Sequence, residues 1–377
     1  MWCVSINVGC GGPLEDLEAR IASMSAWVAD VLRAGSRKPD LVFAQETDPE
    51  WIAVWEAAEY RAFVGGPPTY RCRSALLVSR GIWVEQLTHD SLPSLAYHGS
   101  YVAAARMRLL DGRTQIAISA HASPAFPDDP AMIRSAADWP ADVPAPARRQ
   151  VGTAVRYAGE LWDSDRVLAT AVHAREEGGP VLMAGDLNEA RGWDVGHPGT
   201  WGEEYFRNAT TSGLFAPLHE RWDGERPTRW SGPDDQAPLQ LDHVLATADL
   251  AAKVTRGHVD ERWSNPQVAF SEGLSDHAPV WFWLEPEWTS TSEHGVTVET
   301  TSDPAYARLV PHDEQEARAT HRFEGGNSYT VEDGASFYVI TDEGTMLDFL
   351  DKNEWIPWVT VRRFESESDR DKWIRSR

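Results

Sequence analysis

Eight short β-rich runs recur through residues 1–285, and most of them stop on, or start from, a side chain that ionises or ligates. The runs are 2–8, 41–45, 75–78, 103–109, 115–121, 181–184, 241–245 and 280–284. Several alternate apolar with polar residues, the period of a strand with one buried face. At or just beyond their ends stand Asn7, Glu46, His121, Asp186 with Asn188, Asp242, and the neighbours Asp276 and His277. A charge at the end of an apolar strand is costly unless it meets water, a partner or a metal. Their recurrence predicts one polar centre at a shared edge of the sheets.

The segments between the runs supply helices. Leu14, Leu17, Ile21, Met24, Val28, Val31 and Leu32 fall at three- and four-residue spacing, which predicts an amphipathic helix lying on the sheet. Val151, Val155, Ala158, Leu161 and Trp162 predict another from Arg149 to about Ala174. Asp48-Pro49-Glu50-Trp51 reads as an N-cap with proline at the first helical position, placing Glu46 between a strand end and a helix start. Six prolines at 124, 127, 130, 140, 144 and 146 predict a long loop over 123–146, overhanging whatever His121 serves. The fold class is α/β, a two-sheet sandwich.

At 377 residues the chain has room for a large domain and an appendage. Residues 286–302 hold eight Ser or Thr among 17 positions and read as a linker. That leaves 1–285 as the main domain and 303–377 as a small α+β module, with strands at 336–341 and 358–364 and a short helix at 346–350. The net charge is −23, and residues 286–377 carry −9 of it. Such acidity argues against clamping a polyanion by the overall field, so a phosphate ester needs metal ions and local arginines to reverse the sign at the site. Three cysteines, Cys3, Cys10 and Cys72, give neither a disulfide framework nor zinc spacing. With no export signal and no apolar run near 18 residues, a cytoplasmic protein without membrane contact is expected.

Carboxylates and amides without cysteine point to a hard cation, Mg²⁺ or Mn²⁺. The motifs, in this order, are Ala-Gln-Glu at 44–46, Ser-Ala-His at 119–121, Ala-Gly-Asp-Leu-Asn at 184–188, Leu-Asp-His-Val at 241–244 and Leu-Ser-Asp-His-Ala-Pro-Val at 274–280. They resemble the endonuclease/exonuclease/phosphatase superfamily, which includes pancreatic deoxyribonuclease, exonuclease III and the apurinic-site endonucleases. The resemblance covers about residues 1–285 and implies a sandwich of the deoxyribonuclease I-like type. It implies Glu46 as main metal ligand, Asn7 as a metal- or phosphate-positioning residue, and Asp276 as a further ligand or outer-sphere partner. Asp186 and Asn188 would orient the attacking water and a phosphate oxygen. His277 would contact the scissile phosphate, with Asp242 fixing its tautomer and charge. His121 matches the second histidine of the deoxyribonuclease-like branch, a phosphate clamp or leaving-group acid. The acidic residue that some members carry shortly after the asparagine is missing from Val-Gly-Cys-Gly-Gly-Pro, which leaves one or two metals open.

Plainer readings stand beside these. Gly-Asp and Ser-Asp form turns, Glu46 suits a helix N-terminus, and Asn7 and His121 fit as satisfied core residues. Arg71 and Arg73 are candidate phosphate contacts, as are Arg148 and Arg149, against ordinary solvated arginines. Trp193, Trp201, Trp222 and Trp230 are base-stacking candidates, against packing. The expected function is a metal-dependent phosphodiesterase, foremost a nuclease cleaving DNA to 3′-hydroxyl and 5′-phosphate ends. One alternative is a phosphatase or phosphodiesterase acting on a small molecule or a lipid headgroup; RNA stands beside DNA as a second nucleic-acid substrate. Another is an inactive binding module. Inhibition of the site and binding of a protein partner are both open for the C-terminal module.

Overall fold

The computed structural model describes residues 1–10, 14–33, 38–66, 72–79, 82–88, 90–92, 95, 101–108, 114–122, 134–135, 150–151, 154–155, 160–161, 163–192, 194, 201–286, 289–301, 320–323, 326–333, 336–348 and 354–376. In chain order the first strands are β1 (Trp2–Asn7), β2 (Leu41–Thr47), β3 (Tyr60–Val64), β4 (Arg73–Ser79), β5 (Trp83–Leu87), β6 (Val102–Arg108) and β7 (Thr114–His121). Four two-residue strands follow: β8 (Arg134–Ser135), β9 (Gln150–Val151), β10 (Ala154–Val155) and β11 (Glu160–Leu161). Then come β12 (Val181–Asp186), β13 (Leu214–Phe215), β14 (Asp242–Thr247), β15 (Val254–Val259) and β16 (Val280–Leu284). The helices are α1 (Leu14–Arg33), α2 (Pro49–Ala57), α3 (Asp163–Gly178), α4 (Trp201–Thr211), α5 (Pro217–Trp222), α6 (Ala248–Lys253), α7 (Pro266–Ser271) and, at the C-terminus, α8 (Glu367–Arg375).

Two six-stranded mixed sheets stack face to face, one in the order β15-β16-β1-β2-β4-β3 and the other β13-β14-β12-β7-β6-β5. The two-residue period of the strands sorts their side chains into layers. Leu41 and Phe43 of β2 meet Ala117 of β7 and Leu182 and Ala184 of β12 between the sheets. The alternate residues Val42 and Ala44 pack outward on Met24, Trp27 and Val28 of α1 and Trp51 and Trp55 of α2. On the far side, Ile116, Ile118, Val181 and Met183 cover Val167 and Ala171 of α3 and Tyr205 and Phe206 of α4. The result is the expected sandwich, helices outside and sheets inside.

A polar tie sets the sheets near one edge. Gln45 Nε2 of β2 donates to Ser119 Oγ of β7 at 3.0 Å, and that hydroxyl donates to the Ala44 carbonyl at 2.9 Å. All three residues are fully buried.

Three expectations are corrected. Within the stretch expected to be a linker, β17 (Thr289–Glu293) and β18 (Val296–Thr301) form a hairpin whose alternate Val296 and Val298 enter a core with Val339, Phe364 and Trp373. Serine and threonine there occupy the exposed half of a strand, where Thr is at home. The hairpin joins β19 (Thr320–Phe323), β20 (Gly326–Asp333), β21 (Ser336–Asp348) and β22 (Glu354–Phe364) in an antiparallel sheet of order β17-β18-β22-β21-β20-β19, with α8 packed on it. Second, residues 346–348 are strand, since Met346 and Leu347 pair with Ile356 and Trp355 of β22 and cross-strand pairing overrides the local helical signal. Third, the helix expected from Arg149 begins at Asp163, where Asp163 and Asp165 put negative charge in the first turn. The proline-rich stretch 123–146 lies outside the described residues except for β8.

Arg363 of β22 ties the C-terminal sheet to the sandwich. Its guanidinium lies 2.8 Å from Glu285 and 2.7 Å from Glu299, and the paired carboxylates hold its pKa above the usual value against the opposing effect of burial. Glu285 follows β16, whereas His277 precedes it, so this contact stands roughly 25 Å from His277 at ~3.3 Å per residue. Among the described residues no helix is long and apolar enough to cross a membrane.

Candidate active site

Strand parity builds the site. Within each strand the residues sharing a face with the inter-sheet core are Cys3 in β1, Ala117 in β7, Leu182 and Ala184 in β12, and Val244 in β14. Counting in twos from these places Asn7, His121, Asp186 and Asp242 on the same inner face, at one edge. Register completes the alignment: Asp186 pairs with His121 of parallel β7 on one side and Asp242 of antiparallel β14 on the other. Gly185 permits this approach, because a Cβ there would lie 1.8 Å from the Ala120 carbonyl oxygen.

Glu46 has the wrong parity. Its neighbours Val42 and Ala44 face outward, and a regular strand would send Glu46 under α2. A β-bulge between Ala44 and Thr47, with Glu46 at φ 47°, turns the carboxylate inward instead. Left-handed backbone costs a non-glycine residue about 1 kcal/mol or more, so the strand carries strain where the site needs its carboxylate. Asn188, at φ 49°, takes the same conformation, which asparagine tolerates better.

The side chains converge. Asn7 Oδ1 accepts the Gly9 N–H at 2.9 Å, which turns the amide nitrogen to Asp186 Oδ2 at 3.0 Å and Glu46 Oε1 at 3.3 Å. Asn7 thus holds two carboxylates together through its NH₂ group. His121 Nε2 lies 3.5 Å from Glu46 Oε1 and 3.7 Å from Asp186 Oδ2. Asp186 Oδ1 accepts the Asn188 N–H at 3.0 Å, and the Asn188 amide donates to the Ala122 carbonyl at 2.7 Å. Across the row, His277 Nδ1 donates to Asp242 Oδ2 at 2.8 Å, and His277 Nε2 stands 3.7 Å from Asp186 Oδ2.

Electrostatics follow from this crowding. Burial pushes the Asp186 carboxyl up to about 6; Asp242 adds to the rise, and His277 and His121 oppose it. For His277 burial disfavours the charge, but Asp242 and Asp186 outweigh it and lift the ring to about 10. The site therefore pairs a carboxylate of raised basicity with an imidazolium at neutral pH. Glu46, His121 and Asp186 each offer a ligand atom within 4.8 Å of the others, a fit for one divalent cation. The two carboxylates, held side by side through Asn7, support that fit because cationic charge relieves their mutual repulsion.

Other candidates are placed differently. Asp276 is half-exposed and stands 3.6 Å from the Arg229 guanidinium, outside the Glu46–His121–Asp186 group. Arg73 is half-buried on β4, its carbonyl accepting from Thr47 Oγ1 at 2.6 Å. Arg71, Arg148, Arg149 and Trp193 lie outside the described residues, as does the side chain of Trp201. Trp230 is buried in the core and Trp222 donates to the Gly257 carbonyl at 3.1 Å, so both are committed to packing.

One residue escaped sequence reasoning. Thr228, fully buried, donates from Oγ1 to Asp242 Oδ2 at 2.7 Å and accepts the backbone N–H groups of Leu241 and Asp242 at 3.1 Å each. It fixes the carboxylate that fixes His277. Its setting, Arg-Pro-Thr-Arg-Trp, has neither periodicity nor motif to announce it.

A profile described as the Endonuclease/Exonuclease/phosphatase family matches residues 4–277. The chain belongs to this family. Membership makes it a hydrolase of phosphodiester bonds in the general sense. No curated protein matches it. Among solved structures, the 3′-5′ exonuclease NExo of Neisseria meningitidis is 17% identical at TM-score 0.51, covering 76% of this chain and 100% of that one. A 3′ phosphatase NExo variant from Neisseria, bound to a product DNA hairpin, is 18% identical at TM-score 0.51, covering 76% and 99%. An AP endonuclease from Archaeoglobus fulgidus is 14% identical at TM-score 0.46, covering 75% and 99%. At such identities the two Neisseria structures support the shared fold.

Proposed function

We propose that this chain is a Mg²⁺- or Mn²⁺-dependent nuclease that hydrolyses the DNA backbone to 3′-hydroxyl and 5′-phosphate ends. The observation that carries the reading is the buried Asp242–His277 pair facing Asp186 across 3.7 Å. It sets a cation that neutralises phosphate against a base that takes a proton from water. Glu46 would hold the metal, with Asp186 and His121 within 4.8 Å of its carboxylate as the groups that work beside the ion, and oxygen donors favour Mg²⁺ or Mn²⁺. When bound there, the cation supplies positive charge against the phosphodiester oxygens.

The chain's own groups do the rest. Asp186 receives the proton of the attacking water, its basicity raised by burial. Asn188, on the same turn, orients that water and a phosphate oxygen. His277 holds its protons at Nδ1 and Nε2, with Nε2 presented to the phosphate and Nδ1 secured by Asp242. His121 stands beside Glu46, placed to clamp phosphate or protonate the departing oxygen. Asn7 orients both carboxylates, Arg229 beside Asp276 offers a cation to the strand, and Arg71 and Arg73 are the further phosphate contacts of this reading.

DNA is the favoured substrate because a Neisseria neighbour of the same fold is bound to a product DNA hairpin. The net charge of −23 favours a small diester as the second reading. The deciding experiment offers supercoiled plasmid, single-stranded DNA, RNA and a chromogenic diester, each with Mg²⁺, Mn²⁺ or chelator. Metal-dependent nicking with 5′-phosphate ends, lost in Asp186→Asn, is expected. Turnover of the small diester alone sinks the nuclease reading, and no turnover of any substrate sinks the enzyme.

A further inference from the structure

On the opposite face of β14 lies a second group of ligating side chains that takes no part in the chemistry above. His243 follows Asp242 in the strand, so its ring points outward, beneath α4 and α5. There His219 of α5, Glu225 of the following turn and His243 each offer a ligand atom within 4.8 Å of the others. Both histidines are buried, at 5% and 1% exposure, and Phe206 of α4 stands edge-on to each ring.

The tautomers can be read from their partners. His243 Nε2 lies 2.7 Å from the Glu189 carbonyl and 3.0 Å from that of Gln240. Two acceptors hold the ring proton on Nε2 and leave Nδ1 a bare lone pair. That lone pair faces His219 Nε2 at 3.0 Å; the Gln240 amide, at 3.3 Å, competes only weakly for it. Burial keeps both rings neutral, with His219 pushed down to about 2 and His243 also lowered. Two neutral imidazole nitrogens stay this close only with a proton or a cation between them.

The third member is prepared as well. Glu225 Oε1 accepts the Arg191 N–H at 2.7 Å and Oε2 accepts the Gly192 N–H at 3.0 Å, which fixes the carboxylate while leaving each oxygen a lone pair. Nitrogens roughly 2.0–2.1 Å from one ion and 3.0 Å apart subtend about 91–97°, an ordinary cis angle in five- or six-coordinate geometry. The Glu189 carbonyl behind His243 is the kind of outer partner that orients a metal-bound imidazole.

We propose that His219, Glu225 and His243 bind a borderline transition-metal ion of the Zn²⁺ class. Two imidazoles and one carboxylate select such an ion over Mg²⁺, which prefers oxygen donors. On binding, the proton bridging the rings moves from His219 Nε2 to Nδ1. That atom has no partner among the described residues, a small loss beside coordination. The ion would brace residues 187–192, since Glu189, Arg191 and Gly192 are all bonded to its ligands, and so steady the turn that carries Asn188. This site stands independently of the phosphodiesterase reading.

The test uses the full chain, stripped with chelator and titrated with Co²⁺ or Zn²⁺ in excess Mg²⁺. One ion per chain is expected, with visible Co²⁺ bands and a raised melting temperature. Asp186→Asn, which alters the catalytic centre, should retain that ion. Glu225→Gln should bind at least tenfold more weakly, and His219→Asn should not bind. If His219→Asn fails to fold, the half-buried Glu225→Gln position still decides the matter. No ion surviving excess Mg²⁺, or loss in Asp186→Asn with retention in Glu225→Gln, overturns the proposal and leaves a proton-bridged histidine pair.

Discussion

Replacing Asp242 with asparagine removes one charge and little else. Oδ2 accepts from both Thr228 and His277, and Oδ1 has no hydrogen-bond partner, so the amide oxygen can take both bonds with its nitrogen in the unoccupied position. The His277 tautomer survives and its support does not. With His277 near 10, the imidazolium fraction at pH 8 is about 99%. Returned to the ordinary 6.5, it is about 3% at pH 8 and about half at pH 6.5. D242N should therefore lose at least about 30-fold at pH 8 but only about twofold at pH 6.5. Burial still disfavours the charge while Asp186 and Asp276 still favour it, so the ring returns towards its ordinary range rather than keeping the wild-type value. Initial rates on a chromogenic diester in Mg²⁺, stepped through this window, should climb for the variant as pH falls while the wild type stays level. A variant profile parallel to wild type, displaced by a constant factor, would refute the imidazolium role and leave Asp242 as a positioning group only.

Three further outcomes follow from the same geometry. Asp186→Asn should abolish turnover yet raise the melting temperature in chelator at pH 8. A carboxyl lifted from 3.8 to about 6 loses stability as pH rises through that window, about 3 kcal/mol in full above it; an equal or lower melting temperature would show the burial is compensated. Gly185→Ala should destabilise by more than about 4 kcal/mol, read as insoluble expression or a collapsed denaturation midpoint, because its Cβ meets the Ala120 carbonyl at 1.8 Å. In chelator, stability should fall below pH 6.5, because His219 protonates when unfolded but resists protonation to about 2 when folded. His219 accounts for about 1.4 kcal/mol per pH unit of the slope, and His219→Gln should remove that share in urea titrations at stepped pH while the part due to His243 remains.

Eight of the twelve sandwich strands could be read from sequence by apolar periodicity, and β1, β2, β7, β12 and β14 also by the polar side chain at one end, whereas β3, β5, β13 and β15, which carry none of the site's groups, were missed. The helix bounded by Asp48 and Pro49 was equally plain, and the Asp48 side chain caps the Glu50 N–H at 2.9 Å. The C-terminal hairpin was hidden because a strand with one solvated face can be built of Ser and Thr, the composition of a linker. At the site, the side chains on short motifs were found. Thr228 was not, since its role depends on tertiary contact with Asp242 alone. Nor does sequence reveal that Glu46 reaches the centre through a bulge and a left-handed turn, or that Asp276 stands beside Arg229. The His219–Glu225–His243 group draws on a helix, a turn and a strand with no common motif.

The pairing of β16 between β15 and β1 has a bearing on synthesis. The chain's first strand waits for nearly its last catalytic one, with Ser5 opposite Val280 and the Met1 amine bonded to the Leu284 carbonyl. His277 sits just upstream of that late strand, so a nascent chain lacks both its phosphate-facing histidine and a closed first sheet until residue 284 has left the ribosome. The first sheet therefore closes, and His277 reaches the centre, only once the whole sandwich has been made, so a chain cut short before β16 lacks both.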